Sequence, residues 1–575
     1  MRINQPKSLK SSIVNRKSSI PYDAIVIGSG ATGGWAAKDL CEAGLNVAVI
    51  EAGRKLDPEK DFTEHKWPFD LPFRGFGQPG VIAREQVSSI TVATEYNRHM
   101  YVLDKEHPYT TPPDKPFDWV RSRQVGGRSI VWGRQSYRLS DYDFKAATHD
   151  GYGEDWPISY KDLAPYYDRV EAFIGISGRA ENLPQLPDGR FLPPMNLTCA
   201  EQILKKAVDG FGDRKLTIGR TAILTQNHMG RAKCHWCGHC SRGCTTGSYY
   251  SSPASTLPAA EATGRMTLIT NAVASHIVVD NNGKARGVHY FDRETQASRE
   301  VFGKVILVCA ATLESTRLLL NSKTRFHPAG LGNSHDVLGR YLMDHTIRVG
   351  AGGILHIGRG AVASWDDGRA NGIYIPRFRN LTTRRKDYIR GWGYQGSGMR
   401  GMFPAHARNT SGFGSEFKKA VKNNWPYSVG IGGWGEMLAR PGNLVTLSKE
   451  VRDRWGIPAL HIDCAHSDNE LKMAGDILES AKEMLHAAGV EITYENSKLA
   501  APGVCIHEMG TCRMGSDPKT SMLNAWNQMW EVKNVFVTDG SSFTSSGCVN
   551  PTLTMMALTA RACARIVEEL RRGSL

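Results

Sequence analysis

Residues 22–33 read Tyr-Asp-Ala-Ile-Val-Ile-Gly-Ser-Gly-Ala-Thr-Gly, and residues 46–51 read Asn-Val-Ala-Val-Ile-Glu. The apolar run from Tyr22 to Ile27 predicts a buried strand that ends on Gly28. The alanine-rich stretch after Gly33 predicts a helix running to Leu40 and stopped by Gly44. Asn46 to Ile50 predict a second strand, closed by the acid Glu51. Strand, glycine turn, helix, strand and acid in this order make the β-α-β fingerprint of a dinucleotide site. The glycines make the turn and let the backbone approach a pyrophosphate, the helix N-terminus faces the anion, and the acid faces a ribose hydroxyl. The glycine spacing alone also fits an ordinary turn, so the reading rests on the flanking elements.

Working outward, residues 55–115 are irregular and rich in proline and aromatics, as covering loops are. Arg123-Gln-Val-Gly126-Gly127-Arg-Ser129-Ile-Val131-Trp-Gly133 holds a glycine pair that suits either a turn or backbone lying close to a flat ring. Trp156-Pro-Ile-Ser159 opens a helix through Tyr166, Tyr167 and Val170 to Ile174. Residues 268–308 alternate around Asn281-Asn282-Gly283, a hairpin signal. Lys304 to Val308 is a buried-strand pattern, and an apolar helix follows to Leu320. Residues 340–450 contain glycine-broken strand candidates, among them Leu444 to Leu447. Ser467 with Glu470 forms a capping box for a helix with the stripe Leu471, Ala474, Leu478, Ala481 and Leu485, stopped by Gly489. This is an α/β chain, and 575 residues suggest two domains or two interleaved lobes.

The formal net charge is +14. Arg2, Lys7, Lys10, Arg16 and Lys17 lie in a first stretch without acids, read as a basic flexible tail over residues 1–20. Arg377, Arg379, Arg384, Arg385, Lys386 and Arg390 make a second cluster. No nucleic-acid motif accompanies them, so the expectation is a solvated tail and loop, or a dock for an acidic partner or anionic surface. The N-terminus lacks an apolar signal core, and no apolar run reaches the ~18 residues of a membrane span.

Four of the twelve cysteines, Cys234, Cys237, Cys240 and Cys244, fall within one loop, residues 234–244. Their C-x2-C-x2-C-x3-C spacing matches an iron–sulfur run, although Thr245 stands where that run has proline. Structural thiols, a disulfide or zinc remain alternatives. Near the C-terminus come Cys505-Ile-His507-Glu-Met-Gly-Thr-Cys-Arg-Met-Gly515, then Val535-Phe-Val-Thr-Asp539-Gly540-Ser, then Val549-Asn550-Pro-Thr552-Leu-Thr. By itself Asn550-Pro551 reads as a helix start, asparagine at the N-cap and proline in the first turn. The helix that follows carries the stripe Leu553, Met556, Ala560, Cys563, Val567 and Leu570 and ends at Gly573.

GSGATGG with Glu51, VGGRSIVWG, WPISYKDLAPYYDRVE, CAATLESTRLLLNS, GRYLMDH, HEMGTCRMG and VTDGSSFTSSGCVNPTLTMMAL, in that order, resemble the glucose–methanol–choline (GMC) flavoprotein oxidoreductases. The resemblance spans roughly residues 20–572 and is nearest to bacterial sugar dehydrogenases and pyranose-oxidase-like enzymes. It implies a Rossmann-like FAD domain (residues 21–150, 225–340 and 500–575) interleaved with a sheet-based substrate domain (residues 151–224 and 341–499). It implies that Gly28, Gly30, Thr32, Gly33 and Glu51 hold the adenosine diphosphate half of FAD. Gly126, Gly127, Ser129, Asp539, Gly540, Asn550 and Thr552 would lie toward the flavin. His507 matches the family's catalytic histidine, and Asn550 the asparagine that often replaces a second histidine. Val131 stands where some relatives attach FAD through histidine, so non-covalent FAD is expected. The cysteine loop resembles the cluster-bearing segment of FAD sugar dehydrogenases through Cys234, Cys240 and Cys244.

The implied activity is oxidation of a sugar or glycoside ring hydroxyl, with electrons passed to a cluster or external acceptor. An O2-using oxidase of the same fold, or a non-redox lyase that keeps flavin as a scaffold, are the alternatives. Expected partners are the sugar, a small subunit and a cytochrome-type acceptor, with no nucleic acid. The expected location is the cytoplasm, or the periplasm if a partner subunit carries the export signal.

Overall fold

Tyr22–Ile27 is a strand whose last four residues are buried, and it pairs in parallel with Val47–Ile50 on one side and Ser298–Val308 on the other. The computed structural model describes residues 22–75, 77, 79–357, 369–400, 407, 409–423 and 426–575; the basic tail of residues 1–20 lies outside them. Met266–Ile269 extends the parallel sheet beyond Val47–Ile50. Val535–Val537 joins Ser298–Val308, also in parallel. The first half of Ser298–Val308 instead pairs antiparallel with Ala285–Asp292, which makes a hairpin with Ala272–Val279 around Asn281-Asn282-Gly283. Apolar runs with no polar face form the parallel part because both its faces are buried: Val26, Val49 and Leu307 lie in the core under the first helix, and Ile25, Ile50 and Ile306 in the core that also holds Ile277 and Val288 of the hairpin. Ala36, Ala37 and Leu40 of helix Ala31–Glu42 pack with Val26, Val49, Ala562 and Ile566, joining the first helix to the last.

A second sheet is antiparallel, in the order Glu491–Asn496, Gly350–Leu355, Tyr427–Glu436, Trp392–Arg400, Ile373–Ile375, Thr217–Ile218, with His345–Thr346 beside Tyr427–Glu436. Helices Asp468–Ala487 and Cys199–Asp209 bury one of its faces. Side chains alternate along a strand. Tyr394 therefore turns under the long helix, its hydroxyl donating to Ile477 O at 2.6 Å, while Gln395 turns to the opposite face. Leu444–Arg452, Pro458–Asp463 and Tyr109–Thr110 form a small third sheet.

Several expectations need correction. Helix Tyr160–Ile174, assigned above to the substrate domain, packs on the first and last helices. Phe173 meets Trp35 edge to face at 5.7 Å, and Tyr167 Oη lies 2.7 Å from Thr554 Oγ1. The basic cluster is not a solvated loop throughout. Arg390 is buried with Nε 2.6 Å from Asp150, Arg377 is buried and donates to Asn380 O, and Arg379 pairs with Asp476. Ser467 does cap its helix with Glu470 as the capping box requires, but Leu471 is 58% exposed. The buried stripe there runs through Met473, Ile477 and Met484 as well as Ala474, Leu478, Ala481 and Leu485. Asn550 is not the cap of the last helix. Pro551, already in helical geometry (φ −82°, ψ −16°), takes the N-cap position of Thr552–Arg572. That leaves the Asn550 amide free for other partners.

Candidate active site

The parallel strands Tyr22–Ile27, Val47–Ile50, Ser298–Val308 and Val535–Val537 all end at one cavity of about 570 Å³, lined there by Gly28, Glu51, Cys309 and Asp539. Ligands of open α/β sheets bind at such carboxyl ends, where neighbouring crossovers diverge. Gly28 has φ +96°, and a Cβ on it would stand 2.5 Å from Cys309 O; a Cβ on Gly33 would stand 1.8 Å from Gly28 O. Both glycines are therefore required by the protein's own backbone. Gly30 differs, since a Cβ there would meet nothing nearer than Gly126 O at 3.9 Å and would occupy the cavity instead. Helix Ala31–Glu42 begins with no side-chain cap and no acid in its first turn, which leaves its first amides and partial positive charge for an anion. The last helix also starts uncapped and acid-free, with Thr552 on the wall of the same cavity.

Glu51 Oε2 accepts from Ser29 N (3.1 Å) and Ser29 Oγ (2.6 Å), and Oε1 accepts from Gly53 N (2.8 Å). The carboxylate ties the glycine turn to the end of the second strand, and burial pushes its pKa up. Gly126 receives its Ser29 contact through the backbone (N to Ser29 Oγ, 2.9 Å), and Gly127 starts a short 3-10 turn facing the cavity. Asp539 spends both oxygens on protein hydroxyls, Ser315 on one and Ser541 on the other. Of the cofactor residues expected from the sequence, all but Gly33 and Gly126 lie on the cavity wall. A wide cleft at the strand ends, a glycine cradle and two helix N-termini without side-chain caps fit a dinucleotide with a flat ring, and so fit FAD.

His507 and Asn550 meet at the far end. Asn550 Nδ2 lies 3.3 Å from His507 Nε2, and Gln395 Nε2 donates to Asn550 Oδ1 at 2.7 Å. The loop carrying His507 is held from beneath by Asp344. Its Oδ1 accepts from His345 N (2.9 Å) and His507 N (3.0 Å), and its Oδ2 accepts from Gly503 N (2.7 Å) and Cys505 N (3.2 Å). Directing alternate amides to one carboxylate bends the chain hard: Ile506 takes φ +64°, which a β-branched residue adopts only under strain. Burial, then the neighbouring Glu508, push the Asp344 pKa up to about 7. Beside it, His345 Nδ1 lies 2.9 Å from His507 Nδ1, and Cys505 Sγ lies 3.2 Å from the same atom. Arg128 pairs with Glu508 at 2.7 Å. Burial first, then His345 and Arg128, hold the His507 pKa well below the usual histidine value, so the ring is a neutral base.

Asp344, His345, Gln395 and Glu508 were not singled out from the sequence. GRYLMDH ends in Asp344 and His345 and HEMG holds Glu508, so those motifs carried the signal; Gln395 sits in a glycine-rich strand with none.

Cys234, Cys237, Cys240 and Cys244 are free thiols, each part-buried. Burial pushes the Cys234 thiol up to about 11 and raises those of Cys237 and Cys240, and neighbouring cysteines of the same loop add to each rise. Among the described residues the one group of three His, Cys, Asp or Glu donors within 4.8 Å of each other is His345, Cys505 and His507, not the cysteine loop. Arg134 Nη1 donates to Trp132 O (2.5 Å) and to Cys240 O (3.4 Å), placing the loop behind the Trp132 wall of the cavity.

Two family models described as GMC oxidoreductase match the chain, over residues 22–347 and 439–559. A 2-methyl-1,2-propanediol dehydrogenase of Mycolicibacterium austroafricanum is 31% identical over 554 residues, 94% of either chain. The fructose dehydrogenase large subunit of Gluconobacter japonicus is 26% identical, over 96% of this chain and 99% of that one. Among solved structures, pyridoxine 4-oxidase from Mesorbium loti superposes with a TM-score of 0.61 at 16% identity, over 94% and 98% of the two chains, a likeness of fold.

Proposed function

The chain belongs to the GMC oxidoreductase family, enzymes that act on CH–OH groups, and from that premise we propose that it oxidises a ring hydroxyl of a sugar or glycoside to a ketone or lactone. The observation that carries the reading is the His507–Asn550 pair, 3.3 Å apart on the wall of the cavity that begins at the Gly28 turn. FAD, the family's cofactor, supplies the two-electron acceptor that takes hydride from the carbinol carbon when it is bound. Gly28, Gly30, Thr32 and Glu51 would hold its adenosine diphosphate half, and Gly127, Ser129, Asp539, Gly540 and Thr552 would lie along the rest. Val131 offers no covalent attachment.

His507 is the general base. Its Nε2 takes the hydroxyl proton of the substrate as the hydride departs, and its depressed pKa keeps it unprotonated at neutral pH. Asn550 Nδ2, held in orientation by Gln395, donates to the substrate oxygen as charge develops there. The second helix N-terminus, at Thr552, stabilises negative charge on the same side of the cavity.

Purified, flavin-loaded protein kept free of oxygen tests this. Sugars, glycosides and small diols are added in turn and flavin absorbance followed; one of the carbohydrates should bleach it. The diol belongs in the panel because the Mycolicibacterium relative is named for one. Bleaching by diols alone would move the substrate class, and bleaching by no alcohol would end the reading. Release of peroxide at the turnover rate would identify an oxidase rather than a dehydrogenase.

An iron–sulfur cluster on Cys234, Cys237, Cys240 and Cys244 is the finer proposal. It is supported by the spacing, by the mutual electrostatic influence of the loop's thiols, and by the loop's position behind Trp132. Iron analysis of the purified protein decides it. The Gluconobacter relative is named as a large subunit, which supports a partner subunit; a cytochrome-type acceptor and export in that partner's company are further parts of the proposal. Cytoplasmic residence without such a partner is the alternative, separated by fractionation.

A further inference from the structure

The hydrogen bonds behind His507 run in one direction, and that direction selects a tautomer. His345 Nε2 lies 2.9 Å from Gly547 O. A carbonyl oxygen only accepts, so His345 carries its proton on Nε2. Burial lowers the His345 pKa to about 4, so at neutral pH the ring has that one N–H and its Nδ1 is a lone pair. His507 Nδ1, 2.9 Å from that lone pair, must then be the donor. The opposite assignment would set two lone pairs against each other at that distance. With its proton on Nδ1, His507 has Nε2 bare, and there it faces the Asn550 NH2, itself turned to His507 because Gln395 donates to Asn550 Oδ1. Each contact along Gln395, Asn550, His507, His345 and Gly547 then pairs a donor with an acceptor. Cys505 Sγ, 3.2 Å from His507 Nδ1, has a thiol pKa pushed well above its usual value by burial, and is left as a weak acceptor beside the stronger one.

We propose that His345 is a positioning residue that fixes the ring tautomer of His507 through the Gly547 carbonyl, so that the nitrogen facing the substrate is the unprotonated one. The inference rests on the reading of His507 as the base. His345 does not touch the substrate in this scheme. It acts only by accepting the His507 proton bond, as the orienting residue does in other nucleophile–base–orienter arrays.

Two substitutions of similar size separate this role from simple packing. Asparagine places its Oδ1 where His345 has Nδ1 and keeps the acceptor for His507, but loses the donor to Gly547. Glutamine places its amide nitrogen where His345 has Nε2 and keeps the donor to Gly547, but loses the acceptor. The experiment compares His345→Asn, His345→Gln and His507→Ala with the parent enzyme, reading bound flavin, thermal unfolding, and kcat on the alcohol that best bleaches the parent's flavin. The expected result is a crossed order. His345→Gln unfolds near the parent temperature but loses kcat by roughly 10²- to 10⁴-fold, the scale of a wrong-tautomer base. His345→Asn unfolds earlier but recovers at least tenfold over the glutamine variant. The proposal is overturned if the asparagine variant is no more active than the glutamine variant, or if the glutamine variant stays within threefold of the parent. His507→Ala tells which level failed. If it is inactive while His345→Gln is active, only the tautomer role falls; if it keeps kcat, the base itself is wrong.

Discussion

In the proposed reaction His507 serves as the base, and its surroundings refuse it a second proton. Burial is the largest cause, and the neighbouring His345 ring and Arg128 guanidinium add to it. The sign follows directly: the active form is the neutral ring, and a pKa held below 6.5 preserves that form toward acid. Protonation of the His507–His345 pair is therefore expected to lower kcat/KM only below pH 6.5. Asp344, pushed up to about 7, takes its proton first and loosens the loop that carries His507, so a partial fall near pH 7 precedes the loss of the base. In Asp344→Asn that first step is absent and one acid limb below 6.5 remains; a limb at or above 6.5 in that variant would contradict the reading. At this scale the sequence spoke unevenly. His507 and Asn550 were legible through their motifs, yet the local pattern around Asn550 pointed to a helix cap. Proline in helical geometry at position 551 took that position, a choice fixed by backbone angles that residue types alone leave open. Gln395 was silent because its role depends on which face of a glycine-rich strand turns to the cavity.

The loop from Gly503 to His507 has no regular structure of its own, and it keeps its shape by giving Asp344 the amides of Gly503, Cys505 and His507. Asp344→Asn would turn an NH2 group against two of the N–H donors it now satisfies. A loss of roughly 2–4 kcal/mol in denaturant unfolding is expected, together with a lower kcat, since the strain at Ile506 would relax and move His507. Unchanged unfolding would mean the clasp contributes nothing. In the glycine turn, Gly28→Ala should cost flavin occupancy as well as stability, because φ +96° and the 2.5 Å approach to Cys309 O leave no room for a methyl group. Flavin absorbance per protein measures it, and full occupancy would refute it. Elements with strong local signals were read correctly from sequence: the strand before Gly28, the hairpin at Gly283, and the capping box at Ser467. The outward turn of Leu471 was missed because two stripes fit one helix, and the tertiary contacts of Met473 and Ile477 chose between them.

At the scale of the molecule, the parallel sheet announced itself through apolar runs, whereas the antiparallel sheet did not. Strands such as Trp392–Arg400 and Tyr427–Glu436 are broken by glycines, and their partners lie far away in sequence, so pattern gave their presence but not their order. The order matters because the site is composite. Gln395 comes from the second sheet, His345 from the strand entering it, His507 from the loop after it, and Asn550 from the start of the last helix. The cavity between these elements continues to the Gly28 turn, so a molecule filling it touches both sheets at once. Binding to the folded state alone must then stabilise the whole array by RT ln(1 + [L]/Kd), about 2.7 kcal/mol at a hundredfold excess over Kd. Protein stripped of flavin should unfold at a lower temperature than the loaded enzyme, and its midpoint should climb with each tenfold increase in added FAD. The Gly28→Ala protein should show a smaller climb, because the methyl group pushes the glycine turn away from Cys309 O and distorts the cradle while the rest of the cavity is intact. A midpoint indifferent to FAD in the parent would mean that the two sheets are not bridged by the cofactor, and the composite site would need another ligand to join its halves.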